Sequence, residues 1–138
     1  MIRPAGLKLL IADDHAPMRQ TLRAILSPLA GAILEASDAM EAVRLYAEQQ
    51  PDWVIMDLRM GPVGGLTATR TIRGRFPAAR IVILTHYDDP ELRAEAAQAG
   101  ACAYVLKDNL PALTRLLASD AGSNQGSAGN PDITSPRL

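Results

Sequence analysis

The segment Trp53-Val54-Ile55-Met56-Asp57 decides the fold of this chain, because four consecutive apolar residues end on a carboxylate. The run does not alternate between polar and apolar residues, so a strand built from it would be buried on both faces. Strands of this kind are typical of parallel sheets that are covered by helices on each side. We therefore predict a buried parallel strand over residues 53–56, with Asp57 directly after its carboxyl end.

Four further short segments are predicted to be strands, at residues 7–12, 32–36, 80–84 and 103–106. Longer segments with apolar residues at helical spacing separate them. Asp38 and Asn109 are predicted to cap the second and fifth helices, while Pro90 begins the fourth helix and Gly100 ends it. The chain therefore alternates strand and helix five times.

This alternation predicts an α/β fold with parallel strands. The chain is too short for an eight-stranded barrel, so an open sheet fits better. We predict a flavodoxin-like (βα)5 three-layer sandwich, whose five-stranded parallel sheet has the order 2-1-3-4-5.

Length and composition predict one domain followed by a tail. The chain has 138 residues, of which 48% are hydrophobic, and this is enough for a single core. The domain is predicted to span residues 1–118. Residues 119–138 are rich in Gly, Ser, Asn, Asp and Pro, and are predicted to be a flexible linker or a disordered tail.

The composition argues against several classes of protein. Fourteen basic residues against fifteen acidic ones leave no strongly basic surface for direct DNA binding. The single cysteine excludes an internal disulfide or a cysteine-rich zinc site. The apolar runs are far shorter than the ~18 residues of a membrane span. Asp13 and Asp14 come too early for a secretory signal, so we expect a cytoplasmic protein with no membrane contact.

Polar side chains follow four of the five predicted strands. Asp13 and Asp14 follow the first strand, Asp57 the third, Thr85 the fourth and Lys107 the fifth. Ligands of open α/β sheets bind outside the carboxyl ends of the strands, and these four strands are neighbours in the predicted order. Taken singly, each residue could be a helix cap, a turn residue or a surface charge. Their shared edge predicts one site with three carboxylates, a hydroxyl and an ammonium group.

The chemistry of such a site follows from its charges. Three neighbouring carboxylates repel one another, and a bound Mg²⁺ relieves this repulsion while leaving room for water and a phosphoryl oxygen. Thr85 and Lys107 can hold further phosphoryl oxygens. A carboxylate beside a metal and a lysine can attack a phosphoryl group and form an aspartyl phosphate.

Several motifs share the order and spacing of a known family; they are Ile11-Ala12-Asp13-Asp14-His15, Val54 to Met60, Gly64-Gly65-Leu66, Val82-Ile83-Leu84-Thr85, Gly100-Ala101 and Tyr104 to Asp108. From about Lys8 to Ala118 the sequence resembles the receiver domain of two-component response regulators. The run from Tyr104 to Asp108 most resembles the subfamily in which a LuxR/NarL-type helix-turn-helix DNA-binding domain follows the receiver.

The resemblance implies a phosphoacceptor and a metal site. Asp57 would accept the phosphoryl group. The carboxylates of Asp14 and Asp57 and the backbone carbonyl of Arg59 would bind Mg²⁺, and Asp13 would reach the metal through water.

The resemblance also implies a switch and a partner. Thr85 and Lys107 would bind the phosphoryl group, and Tyr104 would turn inward when Thr85 engages it, changing the surface formed by helix 4, strand 5 and helix 5. The donor would be a sensor histidine kinase or a phosphotransfer protein, and a second copy of the chain is a candidate partner. The chain would be a signalling phosphoacceptor and not an enzyme.

Two positions depart from the family pattern. Proline usually stands four residues after the phosphoacceptor, whereas this chain has Gly61 there and Pro62 next. The loop would keep its length and take a different path. The residue after the switch threonine is often small, but here it is His86, whose ring could block water or small phosphate donors at the site.

Other functions remain to be weighed. A phosphatase with an aspartate nucleophile, similar to haloacid dehalogenases, would need a second aspartate where this chain has Arg59. A flavin-binding carrier would need a phosphate-binding loop after the first strand, where Asp13 and Asp14 would repel a phosphate. Within signalling, the chain could be a stand-alone receiver or the receiver part of a transcription regulator. The linker composition of the tail favours the second, and no helix-turn-helix precedes Leu138.

Overall fold

The computed structural model describes residues 6–122 and shows a parallel sheet between two layers of helices. Its elements in chain order are β1 (Leu7–Ala12), α1 (Ala16–Leu26), β2 (Ala30–Ala36), α2 (Ala39–Gln49), β3 (Trp53–Asp57), α3 (Gly65–Arg75), β4 (Ile81–Thr85), α4 (Pro90–Ala99), β5 (Ala103–Leu106) and α5 (Leu110–Gly122). The five strands have the order β2-β1-β3-β4-β5 and pair in parallel throughout. The predicted flavodoxin-like fold is confirmed.

Two hydrophobic cores lie on opposite faces of the sheet. One contains buried residues of α2, α3 and α4, and the other contains buried residues of α1 and α5. Every residue of β3 and β4 is buried, as the uninterrupted apolar runs predicted. Side chains that alternate along these strands enter the two cores in turn, and this explains why neither strand has a polar face.

The predicted helix boundaries agree with the structure at several ends. Asp38 caps α2 by accepting a hydrogen bond from the backbone N–H of Glu41 at 2.8 Å. Pro90 begins α4, and Gly100 ends it with a φ of +106°, a backbone conformation that favours glycine.

The first helix is shorter than the stripe of apolar residues at helical spacing from Met18 to Leu29 indicated. α1 ends at Leu26, and Ser27–Leu29 form a 3-10 turn. Pro28 has no N–H to continue the α-helical hydrogen bonds, which explains the change. Leu29 still packs against the core from this turn, and β2 begins at Ala30, two residues before the predicted start.

The last helix is longer than predicted. α5 continues to Gly122, so Ser119 and Asp120 belong to a helix and not to the predicted tail. The Asp120 carboxylate accepts a hydrogen bond from the Trp53 indole N–H at 3.2 Å and pairs with Arg80, whose guanidinium lies over the indole ring. These contacts attach the end of α5 to the amino-terminal edge of the sheet. Residues 123–138 lie outside the described part of the chain, so the linker there stays a prediction.

None of the helices within residues 6–122 combines the length and the apolar character that crossing a membrane requires.

Candidate functional site

Strand register brings the predicted site residues to one edge of the sheet. Asp57 pairs with Leu84, one residue before Thr85, and Thr85 pairs with Leu106, one residue before Lys107. Asp57 and Thr85 are the last residues of their strands and not the first residues after them. Asp13 follows β1 directly, on the other side of β3.

Lys107 links the two buried carboxylates of the site. Its Nζ lies 3.0 Å from Asp13 Oδ2 and 3.2 Å from Asp57 Oδ1. All three side chains are at most 8% exposed, so the charges interact with little screening by water. The Lys107 backbone N–H donates to the Thr85 carbonyl at 2.7 Å, and this bond fixes where the lysine leaves β5.

The electrostatics of the site make Asp57 a weaker acid than an ordinary aspartate. Burial and the neighbouring charge of Asp13 raise the pKa of Asp57 from 3.8 to about 6, although the Lys107 ammonium opposes the shift. Burial alone would lower the pKa of Lys107, but the Asp13 and Asp57 carboxylates outweigh it and raise that pKa. The lysine therefore stays charged while Asp57 is poised to release a proton near neutral pH.

Asp13 is held in place by its backbone and by one side-chain oxygen. Its backbone N–H donates to the Ala36 carbonyl at 3.1 Å, and its own carbonyl accepts from the Arg19 guanidinium at 2.7 Å. Its Oδ1 accepts the backbone N–H of His15 at 2.9 Å. Buried Oδ2 has Lys107 as its charge partner but receives no hydrogen bond of good geometry from residues 6–122. That oxygen is left with a lone pair for a further ligand.

The three carboxylates fit a divalent cation. One oxygen atom from each of Asp13, Asp14 and Asp57 lies within 4.8 Å of the others. Asp14 is exposed while the other two are buried, so the group opens to water on one side. Oxygen ligands in this number suit a hard cation such as Mg²⁺, which keeps several water ligands.

The loop after β3 holds the backbone around Asp57. A Cβ built on Gly65 would lie 2.0 Å from the Asp57 carbonyl oxygen, so only glycine fits at the start of α3. Gly61 has a φ of +63°, whereas proline is restricted to a φ near ~−65°. A proline at position 61 could not adopt this backbone conformation, which agrees with the absence of proline there.

The predicted switch residues meet at the loop after β4. Thr85 Oγ1 accepts the backbone N–H of Tyr87 at 3.2 Å, which leaves the hydroxyl hydrogen for another acceptor. The Tyr104 hydroxyl donates to the Tyr87 carbonyl at 2.6 Å, and the Tyr104 side chain is buried. His86, between Thr85 and Tyr87, is exposed, and its position at the mouth of the site stays a prediction.

Sequence reasoning missed the roles of Tyr87 and Arg93 around this site, and it predicted only the backbone of Arg59 to take part. The backbone of Tyr87 connects Thr85 with Tyr104. The guanidinium of Arg59 lies over the exposed Tyr87 ring at 4.7 Å, and the guanidinium of Arg93 lies over the Tyr104 ring at 4.7 Å. Arginines near aromatic residues are a weak sequence signal, because the ring that each one meets depends on the tertiary fold.

Comparison with known proteins identifies the family. Residues 9–118 match the response regulator receiver domain. The oxygen regulatory protein NreC of Staphylococcus haemolyticus is 42% identical over 115 residues, covering 81% of this chain and 52% of the relative. The chain thus spans about half the length of this curated relative.

Solved structures show the same likeness. A two-component response regulator of the LuxR family from Aurantimonas is 39% identical, with a TM-score of 0.77 over 93% of this chain and 92% of that one. A response regulator from Burkholderia pseudomallei, solved with a phosphorylated aspartic acid, a calcium ion and citrate, is 27% identical, with a TM-score of 0.73 over 86% of this chain and 70% of that one. The predicted resemblance to the LuxR/NarL-type subfamily is confirmed. The chain belongs to the family of response regulator receiver domains of two-component systems.

Proposed function

We propose that Asp57 is the phosphoacceptor of a two-component signalling switch. The contact of Lys107 with both Asp13 and Asp57 carries this proposal, because it holds a permanent cation beside a carboxylate at the open edge of the sheet. One Asp57 oxygen would form a bond to phosphorus as the bond to the donor's leaving atom breaks, and the leaving group would depart with its electron pair. Lys107 and the Thr85 hydroxyl would hold the phosphoryl oxygens during transfer.

Mg²⁺ is the proposed cofactor. Asp14, Asp57 and the backbone carbonyl of Arg59 would bind it, with Asp13 reaching it through water. The metal would supply positive charge to the phosphoryl oxygens. The solved relative from Burkholderia pseudomallei contains both a phosphorylated aspartic acid and a calcium ion, and this supports a divalent cation as cofactor.

Phosphorylation would act on the rest of the domain through Thr85 and Tyr104. The hydroxyl hydrogen of Thr85 would donate to a phosphoryl oxygen, while its oxygen keeps the bond from Tyr87. The resulting pull on the loop after β4 would favour the inward position of Tyr104. The surface formed by α4, β5 and α5 would then carry the signal to the output.

The donor would be a sensor histidine kinase or a phosphotransfer protein in the cytoplasm. The chain would act as a phosphoacceptor that assists its own phosphorylation and dephosphorylation, not as an enzyme with a separate substrate. We infer that it is the receiver part of a transcription regulator whose DNA-binding domain is a separate unit, because the chain is similar to a LuxR-family response regulator and spans about half the length of NreC. A stand-alone receiver that works through protein contacts, including a homodimer, is the alternative.

The test is phosphate incorporation followed by intact mass. The protein is treated with a small phosphoramidate or acyl phosphate in Mg²⁺ and in EDTA. We expect one added phosphate that requires Mg²⁺ and is lost in Asp57→Asn. An adduct of the same amount in Asp57→Asn would refute the proposal. Asp52→Asn, a carboxylate at the opposite end of β3, is the matched control and should be phosphorylated normally.

A further inference from the structure

Arg93 makes contacts that the phosphorylation chemistry does not use. It lies in α4, and its guanidinium carbon is 4.7 Å from the centre of the Tyr104 ring in β5. The same guanidinium pairs with Asp88 at 3.1 Å, in the loop between β4 and α4. Only a quarter of the Arg93 side chain is exposed, compared with two thirds of Asp88. The arginine is therefore packed over the ring, and Asp88 fixes its end.

Tyr104 is held inward from two directions. Its hydroxyl donates to the Tyr87 carbonyl at 2.6 Å, and the guanidinium of Arg93 covers the ring. Tyr87 and Asp88 are adjacent, so both contacts lead to the same short loop that begins after Thr85. An outward movement of the ring would break the hydroxyl bond and remove the aromatic partner of the guanidinium at once.

The rest of α4 provides few large contacts that could do this instead. Its fully buried side chains are Ala96 and Ala99, which bury little apolar area. Leu92 is partly buried against the core cluster that contains Tyr104, and Arg93 is the α4 side chain whose guanidinium lies over the ring. A cation over a desolvated aromatic ring gains more than the same pair in water.

We propose that Arg93 is a positioning residue that holds Tyr104 inward before any phosphoryl group is bound. The domain would then start from a state in which the ring is already mostly buried, and its α4–β5 surface would be partly in its signalling arrangement. This inference rests on the proposed role of Tyr104 as a switch, but the orientation of the ring can be measured without phosphorylation. A cation–π contact of ordinary strength changes the ratio of inward to outward ring by a factor of about 2 to 30.

The test uses the whole chain labelled with 3-fluorotyrosine and observed by ¹⁹F NMR in EDTA without a phosphate donor. The chain has three tyrosines, and Tyr104→Phe identifies the Tyr104 signal. A soluble paramagnetic additive broadens exposed rings. In the parent protein we expect the Tyr104 signal to be as protected as that of buried Tyr46, and the signal of exposed Tyr87 to broaden strongly.

Arg93→Ala should increase the broadening of the Tyr104 signal by at least about twofold, in line with the ratio expected for a lost cation–π contact. Arg93→Lys should restore part of the protection, since it keeps the cation and loses the planar stack. If Arg93 only filled space, Arg93→Met would restore the protection of the Tyr104 signal to the same extent as Arg93→Lys. Arg44→Ala, which removes an exposed arginine of α2, is the control and should leave all three signals unchanged.

Two results would overturn the proposal. One is a Tyr104 signal that is as protected in Arg93→Ala as in the parent, and the other is a Tyr104 ring that is already exposed in the parent. If Arg93→Ala does not fold, Asp88→Asn decides, because it removes the tether and keeps the guanidinium; unchanged protection there counts against the proposal. Failure of Asp57 to accept phosphate would refute the proposed function, but it would not change the NMR results expected for Arg93 and Tyr104.

Discussion

The α-carbon of Gly65 packs directly against the backbone carbonyl of Asp57, and a Cβ at position 65 would lie 2.0 Å from that oxygen. The first residue of α3 thereby determines where the backbone of the acceptor lies. The Gly65 N–H also donates to the Leu58 carbonyl at 2.9 Å, so the same residue holds the next peptide as well.

Gly65→Ala should destabilise the domain and slow phosphorylation of Asp57. The added methyl group must push the Asp57 carbonyl away, and overpacking of this kind costs about 1–3 kcal/mol. Urea denaturation measures the loss, and intact mass measures phosphate incorporation. Gly74→Ala in the same helix is the matched control, because a Cβ there meets open space; it should stabilise the domain by about 0.5–1 kcal/mol. Equal effects of the two variants would contradict the packing argument.

Asp57→Asn should stabilise the metal-free domain at neutral pH. The pKa of Asp57 is raised from 3.8 to about 6 in the folded state, so folded protein binds the proton more tightly than unfolded protein does. Ionised Asp57 thus opposes folding above about pH 6, and this penalty fades as the pH falls from 6 towards 4. The gain from Asn should be on the order of 1 to 3 kcal/mol at pH 7.5 in EDTA and much smaller at pH 4.5. A gain that does not change with pH would argue against this titration.

Mg²⁺ should bind more weakly below about pH 6. The metal needs Asp57 in its ionised form, and below its pKa of about 6 the proton competes with the ion. Calorimetric titration at pH 7.5, 6 and 5 should show affinity falling by up to about tenfold per pH unit in the acid range. Asp14→Asn should lose most of the binding at every pH. Constant affinity from pH 7.5 to 5 would rule out Asp57 as a ligand.

A chain that ends after residue 118 should be less stable than one that ends after residue 122. The shorter chain lacks Asp120, and the buried Trp53 N–H then has no acceptor, which costs about 1–3 kcal/mol. The pair with Arg80 adds little, because that arginine is 38% exposed. Asp120→Asn keeps an acceptor for the indole N–H, so it should reduce the stability of the domain less than the truncation does. Equal stability of the two truncated chains would show that the contact is unimportant.

His86→Ala should shorten the lifetime of the phosphorylated state. Hydrolysis of an aspartyl phosphate requires water in line with the bond to phosphorus, and we expect the exposed ring of His86, the residue after Thr85, to stand near the phosphoryl group. Removal of the ring should speed dephosphorylation by a few-fold or more at fixed Mg²⁺. His15→Ala, at the other exposed histidine, is the control and should leave the rate near that of the parent. An unchanged rate in His86→Ala would mean that the ring does not screen the phosphoryl group.

Much of the site could be predicted because strand ends and chemistry coincide in the sequence. Asp13, Asp57, Thr85 and Lys107 each stand where an apolar run stops, and parallel strands bring such positions to one edge. Where a helix ends at a different residue from the one predicted, the cause is local. Pro28 ends α1 early through a missing N–H, a signal that the apolar stripe hid.

The amino-acid sequence by itself predicted the residues at the edge of the sheet from the points where the apolar runs stop, and it predicted the strand order through the general rules for open α/β sheets. Only the tertiary structure decided that Arg93 covers Tyr104, that Tyr87 connects Thr85 with that ring, and that Asp120 serves Trp53 from 67 residues away. These contacts depend on how each helix is rotated against the sheet and on side-chain rotamers, which result from the packing of the whole core. Such contacts therefore cannot be predicted from residue type and spacing along the chain.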